Sequence, residues 1–218
     1  MPNPTHQEWD RFWNRSASQR FSQISWSKRR ILEVLNRYVV VGQKALDAGC
    51  GSGFFSKYFC DRGMPTVSLD YADSALAMAR ELTQGKTKLI KANLLHDWLS
   101  TQITERFDLI FSDGLLEHFT VQQQTKILQN LISVLSPTGV IVTFVPNRWS
   151  PWELIRPLYM PGIEEKPFIL KELKDVHQGA DLKILDSGGV NVFPWRVSPE
   201  KFLGKYFGML LYTVTTRK

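Results

Sequence analysis

Two groups of residues in this 218-residue chain have the types and spacing to do chemistry. The first is Asp47-Ala48-Gly49-Cys50-Gly51-Ser52-Gly53, followed 17 residues after Gly53 by Asp70. Glycines at alternate positions let the backbone turn with positive φ and let a ligand approach where a Cβ would block it. A carboxylate at Asp70 can accept hydrogen bonds from both hydroxyls of a ribose, so the pair reads as a nucleotide-type site. The pattern is G-x-G-x-G, and bulky Phe54 stands where the dinucleotide fingerprint G-x-G-x-x-G has its last glycine. The second group is Glu117-His118. A neutral imidazole, with an ordinary pKa of about 6.5, can take a proton from a hydroxyl nucleophile at physiological pH.

These residues need elements to hold them. Short apolar runs at Lys44–Asp47, Thr66–Leu69, Thr87–Ile90, Phe107–Phe111 and Val140–Phe144 predict strands. Helical spacing covers Ala72–Leu82, with Asp73 or Ser74 as cap, and Val121–Leu135, with Pro137-Thr138-Gly139 as the closing turn. Strands alternating with such helices predict a parallel sheet covered on both faces. Further helices are expected at Ile24–Val39 and Ile169–Val176, and strands at Leu182–Leu185 and Met209–Thr215. In the first of these helices Ile24, Ile31, Leu35 and Tyr38 are expected to face inward and Lys28-Arg29-Arg30 outward. The reading is a single domain over residues 1–218. It has an N-terminal helical cover (1–40), a ligand-binding spine (41–146) and an acceptor-side cover with the closing strands (147–218).

Composition narrows the class. Hydrophobic residues make up 43%, enough for a core without staples. Two cysteines, Cys50 and Cys60, exclude a disulfide scaffold and read as buried small side chains. Absence of a long apolar run and of a leader pattern predicts a cytoplasmic protein. His6, His96 and His177 are expected at the surface. The net charge of +6 is uneven: residues 1–40 carry 7 basic and 3 acidic groups, residues 41–146 carry 9 and 10, and residues 147–218 carry 11 and 8. Six of the seven tryptophans also lie in the two flanks.

The order and spacing of several motifs resemble the class I S-adenosylmethionine-dependent methyltransferases, in their small-molecule, type 11-like branch. They are Leu46–Gly53, Ser68-Leu69-Asp70, Phe107–Ser112, Gly114-Leu115-Leu116-Glu117-His118 and Leu135–Gly139 leading into Val145-Pro146-Asn147. The resemblance covers roughly residues 20–218. It implies an α/β, Rossmann-like seven-stranded sheet, mostly parallel, with helices on both faces and an antiparallel last hairpin. It implies S-adenosyl-L-methionine as cofactor, with Gly49, Gly51 and Gly53 under its methionine part and Asp47 near its amino group. Asp70 would hold the ribose, Tyr71 would lie against the adenine, and Asn93 would face the adenine amino group where aspartate is usual. Asp113 and Gly114 would border the transferable methyl. Glu117 and His118 are the catalytic candidates, His118 as base or as an anchor of the turn. In the similar ubiquinone-pathway O-methyltransferases a glutamate three residues before the Glu-His pair binds a divalent ion. Gly114 stands there, so no metal is expected.

The flanks are expected to select the acceptor. Trp9, Phe12, Trp13, Phe21 and Trp26 come from one side and Arg148, Trp149, Trp152, Arg156 and Tyr159 from the other. Of these, Trp13, Arg148, Trp149, Trp152 and Tyr159 are the substrate-binding candidates, suited to an aromatic, lipid-like or anionic small molecule. O-methylation by in-line displacement is the favoured activity. Basic, aromatic flanks also suit RNA, and a protein acceptor stays open beside it. The charge is mild, and no Asn/Asp-Pro-Pro-Tyr/Phe tetrapeptide follows the fourth strand, which argues against a nucleic-acid acceptor. More distant alternatives are an NAD-dependent oxidoreductase and a cofactor-binding protein without turnover.

Overall fold

A computed structural model describes residues 4–96, 103–156 and 165–218. The apolar runs become strands β1 (Ala45–Ala48), β2 (Thr66–Asp70), β3 (Lys88–Lys91), β4 (Phe107–Asp113), β5 (Leu135–Pro146), β6 (Leu182–Val190) and β7 (Leu210–Arg217). They form one seven-stranded sheet in the order β3-β2-β1-β4-β5-β7-β6, parallel from β3 to β5, with β7 antiparallel to both its neighbours. The strand order reverses at β1, between β2 and β4. In an open α/β sheet a crevice opens there, beyond the carboxyl ends of the strands.

Side chains alternate across the sheet, so each face needs its own cover. Leu46, Ile110 and Ile141 turn toward α5 (Val121–Val134) and α6 (Leu170–Gly179), which contribute Leu128, Leu131 and Leu173. Leu109, Phe111 and Phe144 pack against α2 (Trp26–Leu35) and α3 (Phe54–Asp61) through Ile31, Leu35, Phe55 and Phe59. Two further helices, α4 (Asp73–Leu82) and α7 (Glu200–Phe207), flank β2 and β6, and α1 (His6–Trp13) lies against α4.

Four expectations change. Pro137-Thr138-Gly139 is not a turn: it lies within β5, whose pairing with β4 steps from Phe107↔Leu135 to Leu109↔Val140. The extra residues are taken up as an irregularity beside Asp108, where Ser136 Oγ donates to its carboxylate at 3.0 Å. α4 has no side-chain cap of its own. Instead Asp10 of α1 accepts from the Ser74 amide at 3.0 Å and hydroxyl at 2.8 Å, satisfying an orphan N–H from another element. α2 is shorter than expected and differently turned. Ile24 is exposed before it begins, and only Arg29 of the basic triplet is outward. Arg30 is clamped by Glu33 and Glu200 and donates to the Trp195 and Arg196 carbonyls, while Lys28 turns toward the crevice.

His177 is the fourth. It is fully buried under the sheet rather than at the surface, whereas His96 is exposed and His6 half-buried. Its Nδ1 donates to the Leu173 carbonyl at 2.9 Å, so its Nε2 accepts from Thr143 Oγ1 at 3.1 Å. Burial holds its pKa down at about 4. In the unfolded chain the ring takes up a proton below about pH 6.5; in the folded protein it stays neutral until about pH 4. The neutral ring therefore supports the fold above pH 6.5, and that support is lost as pH falls. We expect urea unfolding to show a stability loss of about 3 kcal/mol between pH 6.5 and 4 that His177→Gln lacks. Equal pH slopes for the two proteins would refute it.

Candidate active site

The crevice is a cavity of about 730 Å³, within the range of small-molecule sites. β1 delivers Asp47, fully buried, its Oδ2 accepting from Ser56 Oγ at 2.6 Å. The chain then turns through Gly49 (φ 74°) and Gly51 (φ 49°), both lining the cavity. A Cβ on Gly51 would lie 2.6 Å from the Trp13 ring, so this turn admits glycine only. Gly53 does not line the cavity. It caps α3 at φ 77°, and a Cβ there would fall 2.5 Å from the Ala79 Cα of α4, so it serves helix packing instead of the ligand contact expected of it.

β2 ends in Asp70, which is buried. Its Oδ2 accepts from the Gly51 amide at 2.9 Å and its Oδ1 from the Ala72 amide at 2.9 Å, so the carboxylate is fixed by backbone on both sides. Tyr71 lies beside it, edge-on to His6 at 5.0 Å. Asn93, beyond β3, lines the cavity, with its side-chain oxygen accepting from the Leu95 amide at 3.0 Å. β4 ends in Asp113, followed by Gly114 at φ 71° and the turn Leu116–His118. Burial pushes Asp47 up to about 7 and Asp113 up to about 6, and raises Asp70 as well. Neighbouring carboxylates raise Asp47 further, while Lys28 lowers Asp113.

The cover closes the opposite side. Lys28 Nζ lies 4.1 Å from the Phe54 ring centroid and donates to the Phe21 and Gln23 carbonyls. Ser52 Oγ donates to the Phe21 carbonyl at 2.7 Å, tying the cover to the glycine loop. Trp9 meets His118 edge-on at 4.9 Å. Of the acceptor-side candidates, Trp13 and Trp152 line the cavity, Trp13 against the glycine loop. Arg148 and Trp149 stand outside it. Arg148 is turned toward the Pro167 carbonyl and Glu172, and Trp149 is 64% exposed. Tyr159 lies outside the described residues.

The methyltransferase-domain family matches residues 46–143, the span from β1 to β5 that carries the loop, Asp70 and the Glu117-His118 turn. A solved S-adenosylmethionine-dependent methyltransferase from Anabaena variabilis superposes with a TM-score of 0.70 at 18% identity, over 100% of this chain and 98% of that one. Residues 46–143 thus match a methyltransferase domain, and the chain shares the fold of that solved methyltransferase. The N-methyltransferase NodS from Bradyrhizobium japonicum, solved with S-adenosyl-L-homocysteine, shares the fold with a TM-score of 0.69 at 14% identity, covering 97% of each chain. The ubiquinone biosynthesis O-methyltransferase of Leptothrix cholodnii is 28% identical over 109 residues, 49% of this chain and 46% of that protein. The chain spans about half the length of the curated relatives it matches.

Among the lining residues that the sequence did not mark as site residues are Lys28, Phe119 and Glu165. Glu165 matters most. The expectation of no metal rested on Gly114 leaving one ligand short beside Glu117-His118. In space Glu165 reaches that pair, and the three ligand atoms all lie within 4.8 Å of one another.

Proposed function

We propose that the protein transfers the methyl group of S-adenosylmethionine to a small-molecule acceptor, with oxygen the favoured nucleophile. The observation that carries this reading is one continuous cavity running from Asp70, past the glycine loop, to Asp113 and the Glu117-His118 turn. The residues present fit that cofactor. Three buried carboxylates, Asp47, Asp70 and Asp113, whose proton affinity is raised by burial, suit a ligand carrying a sulfonium and an ammonium. Asp70, pinned by two amides, keeps a lone pair on each oxygen for the ribose hydroxyls.

The bound cofactor supplies an activated methyl for in-line displacement. The chain's part is to exclude water with Trp9, Trp13 and Trp152, to hold the acceptor in line, and to receive its proton at His118. Orientation alone can lower such a barrier by about 7–11 kcal/mol. The aromatic cover suits a flat acceptor. No helix among the described residues is long and apolar enough to cross a membrane, and we place the reaction in the cytoplasm.

Calorimetry tests the cofactor assignment: S-adenosylhomocysteine should bind one to one, and NAD should give no saturable heat. Binding of NAD in its place would overturn it. The two cover tryptophans give a second test. Trp152→Ala should raise the acceptor KM by about 10-fold, the loss of one well-packed aromatic contact, while Trp149→Ala leaves it unchanged. Equal effects of the two substitutions would show that the cavity described above is not the acceptor's.

A further inference from the structure

Glu117 and Glu165 face each other deep in the acceptor end of the cavity. Glu117 is 3% exposed, and its Oε2 has no partner among the described residues. Its Oε1 is 3.9 Å from His118 Nε2. Glu165 has a side chain only 4% exposed and reaches the same point from a distant part of the chain. The approach is fixed by backbone: the Lys166 amide donates to the Glu117 carbonyl at 2.9 Å. Among the described residues Arg156 is the guanidinium at the pair, its Nε 2.9 Å from Glu165 and 3.2 Å from Glu153.

A buried carboxylate needs a partner, and Arg156 is already divided between two of them. One buried acid therefore stands without a full counter-charge among the described residues, in a cavity whose lining includes Trp9, Phe119 and Trp152. Carboxylates beside aromatic faces are what an organic ammonium needs: N–H donors find oxygen, and the remaining charge lies against the rings. A doubly charged metal ion would find His118 beside the two carboxylates, but it fits less well, because Arg156 would face it at short range and Trp9, Phe119 and Trp152 offer it no ligand atom. An anionic acceptor would meet Glu117, Glu165 and Asp113 together.

We propose that Glu117 and Glu165 bind a protonated amine carried by the acceptor, making this pair the specificity-determining element of the site. The inference rests on the methyl-transfer reading for its purpose, though the pocket can be read without it. Burial and Glu165 hold the Glu117 carboxyl well above its ordinary range, and burial lifts Glu165 to about 7 despite Arg156. With Asp113 and Glu153 adding to the repulsion, the empty pair retains a proton that an arriving ammonium replaces. Amine affinity should thus rise with pH until the amine itself deprotonates.

The test is a matched probe series: tyramine, 4-ethylphenol and 4-hydroxyphenylacetate, which vary charge on one phenolic ring. Binding is measured by calorimetry in EDTA, with and without S-adenosylhomocysteine. Charged hydrogen bonds to the pair predict that wild type binds tyramine about 10–100-fold tighter than 4-ethylphenol, and the acid most weakly. Glu165→Gln leaves Arg156 with one carboxylate fewer and should erase or reverse the preference toward the acid. Glu117→Gln should erase it. Unchanged S-adenosylhomocysteine binding in both variants shows that they fold. Equal binding of the three probes by wild type, tighter binding of the acid, or binding of none overturns the proposal. Saturable Mn²⁺ binding without EDTA that Glu165→Gln abolishes also overturns it, giving the cluster to a metal. Failure of wild type to bind S-adenosylhomocysteine sinks the methyltransferase reading instead, while the series run without it still reads the amine pocket.

Discussion

Asp70→Ala is expected to weaken S-adenosylhomocysteine binding by about 10²–10⁴-fold. A hydrogen bond to a charged group contributes about 1.5–3 kcal/mol, and the carboxylate offers one oxygen to each ribose hydroxyl. The magnitude depends on pre-organisation. Asp70 is buried at the end of β2, and its two oxygens are fixed by the Gly51 and Ala72 amides at 2.9 Å each. The ligand therefore meets an acceptor already in place and spends nothing on ordering it. The same two bonds make the substitution costly to the fold. Two amide groups lose their acceptor, and each buried orphan costs about 1–3 kcal/mol. Melting of the free protein should fall as well, and binding must be measured below the melting range. Asp70→Asn separates the effects: it retains one acceptor oxygen, so binding should fall less than in the alanine variant. An alanine variant within about 3-fold of wild type would show that the ribose is held elsewhere.

The parts of the site that could be read directly from sequence are those encoded locally. β1, the glycine loop and β2 follow one another in 26 residues, from Ala45 to Asp70, and their ligand groups sit at strand ends. Apolar runs separated by helix-length stretches lead to a parallel sheet, and the sheet puts Asp47, Asp70 and Asp113 at one edge. Glu165 and Lys28 belong to the site only because of the path of the folded chain, and nothing in their neighbours distinguishes them. Proximity along the chain also misled. Arg148, Trp149 and Trp152 stand within five residues, yet Ser150 caps a 3₁₀ turn (Pro151–Leu154) that carries Trp152 into the cavity. Before that turn, the bridge between Asn147 and Phe168 sends Arg148 and Trp149 outward. α7 was missed for a related reason. Its eight residues include Gly204, which weakens any helical signal but lets the helix touch β6, where a Cβ on Gly189 would fall 2.0 Å from the Gly204 carbonyl oxygen. The charge reading also reversed: the basic flanks spend much of their charge in ion pairs with their own acids, and the cavity they cover is rich in acid.

His118→Gln should lower kcat by about 10²–10⁴-fold, the usual contribution of a general base, with S-adenosylhomocysteine affinity nearly unchanged. The site sets the ring for that role. His118 is buried but lines the cavity, one turn beyond Asp113 at the catalytic end of β4. Trp9 holds it edge-on from the cover, and Glu117 Oε1 stands 3.9 Å from Nε2. A ring fixed in this way needs no reordering when the acceptor arrives, and the cover keeps bulk water from competing as proton carrier. Glutamine preserves polarity and most of the volume but takes no proton at neutral pH, so a base and an anchor give different results. If the ring is the base, the variant loses the acid limb of the kcat–pH profile, and added imidazole restores part of the rate. If the ring only anchors the turn, the melting temperature falls, cofactor affinity falls with it, and kcat stays within about 3-fold of wild type. Trp9→Leu adds the positioning test: it leaves the ring chemically intact, so the acid limb should persist while kcat drops by about 10-fold through lost orientation. Loss of that limb in Trp9→Leu would mean that the cover, and not the imidazole, governs the titration.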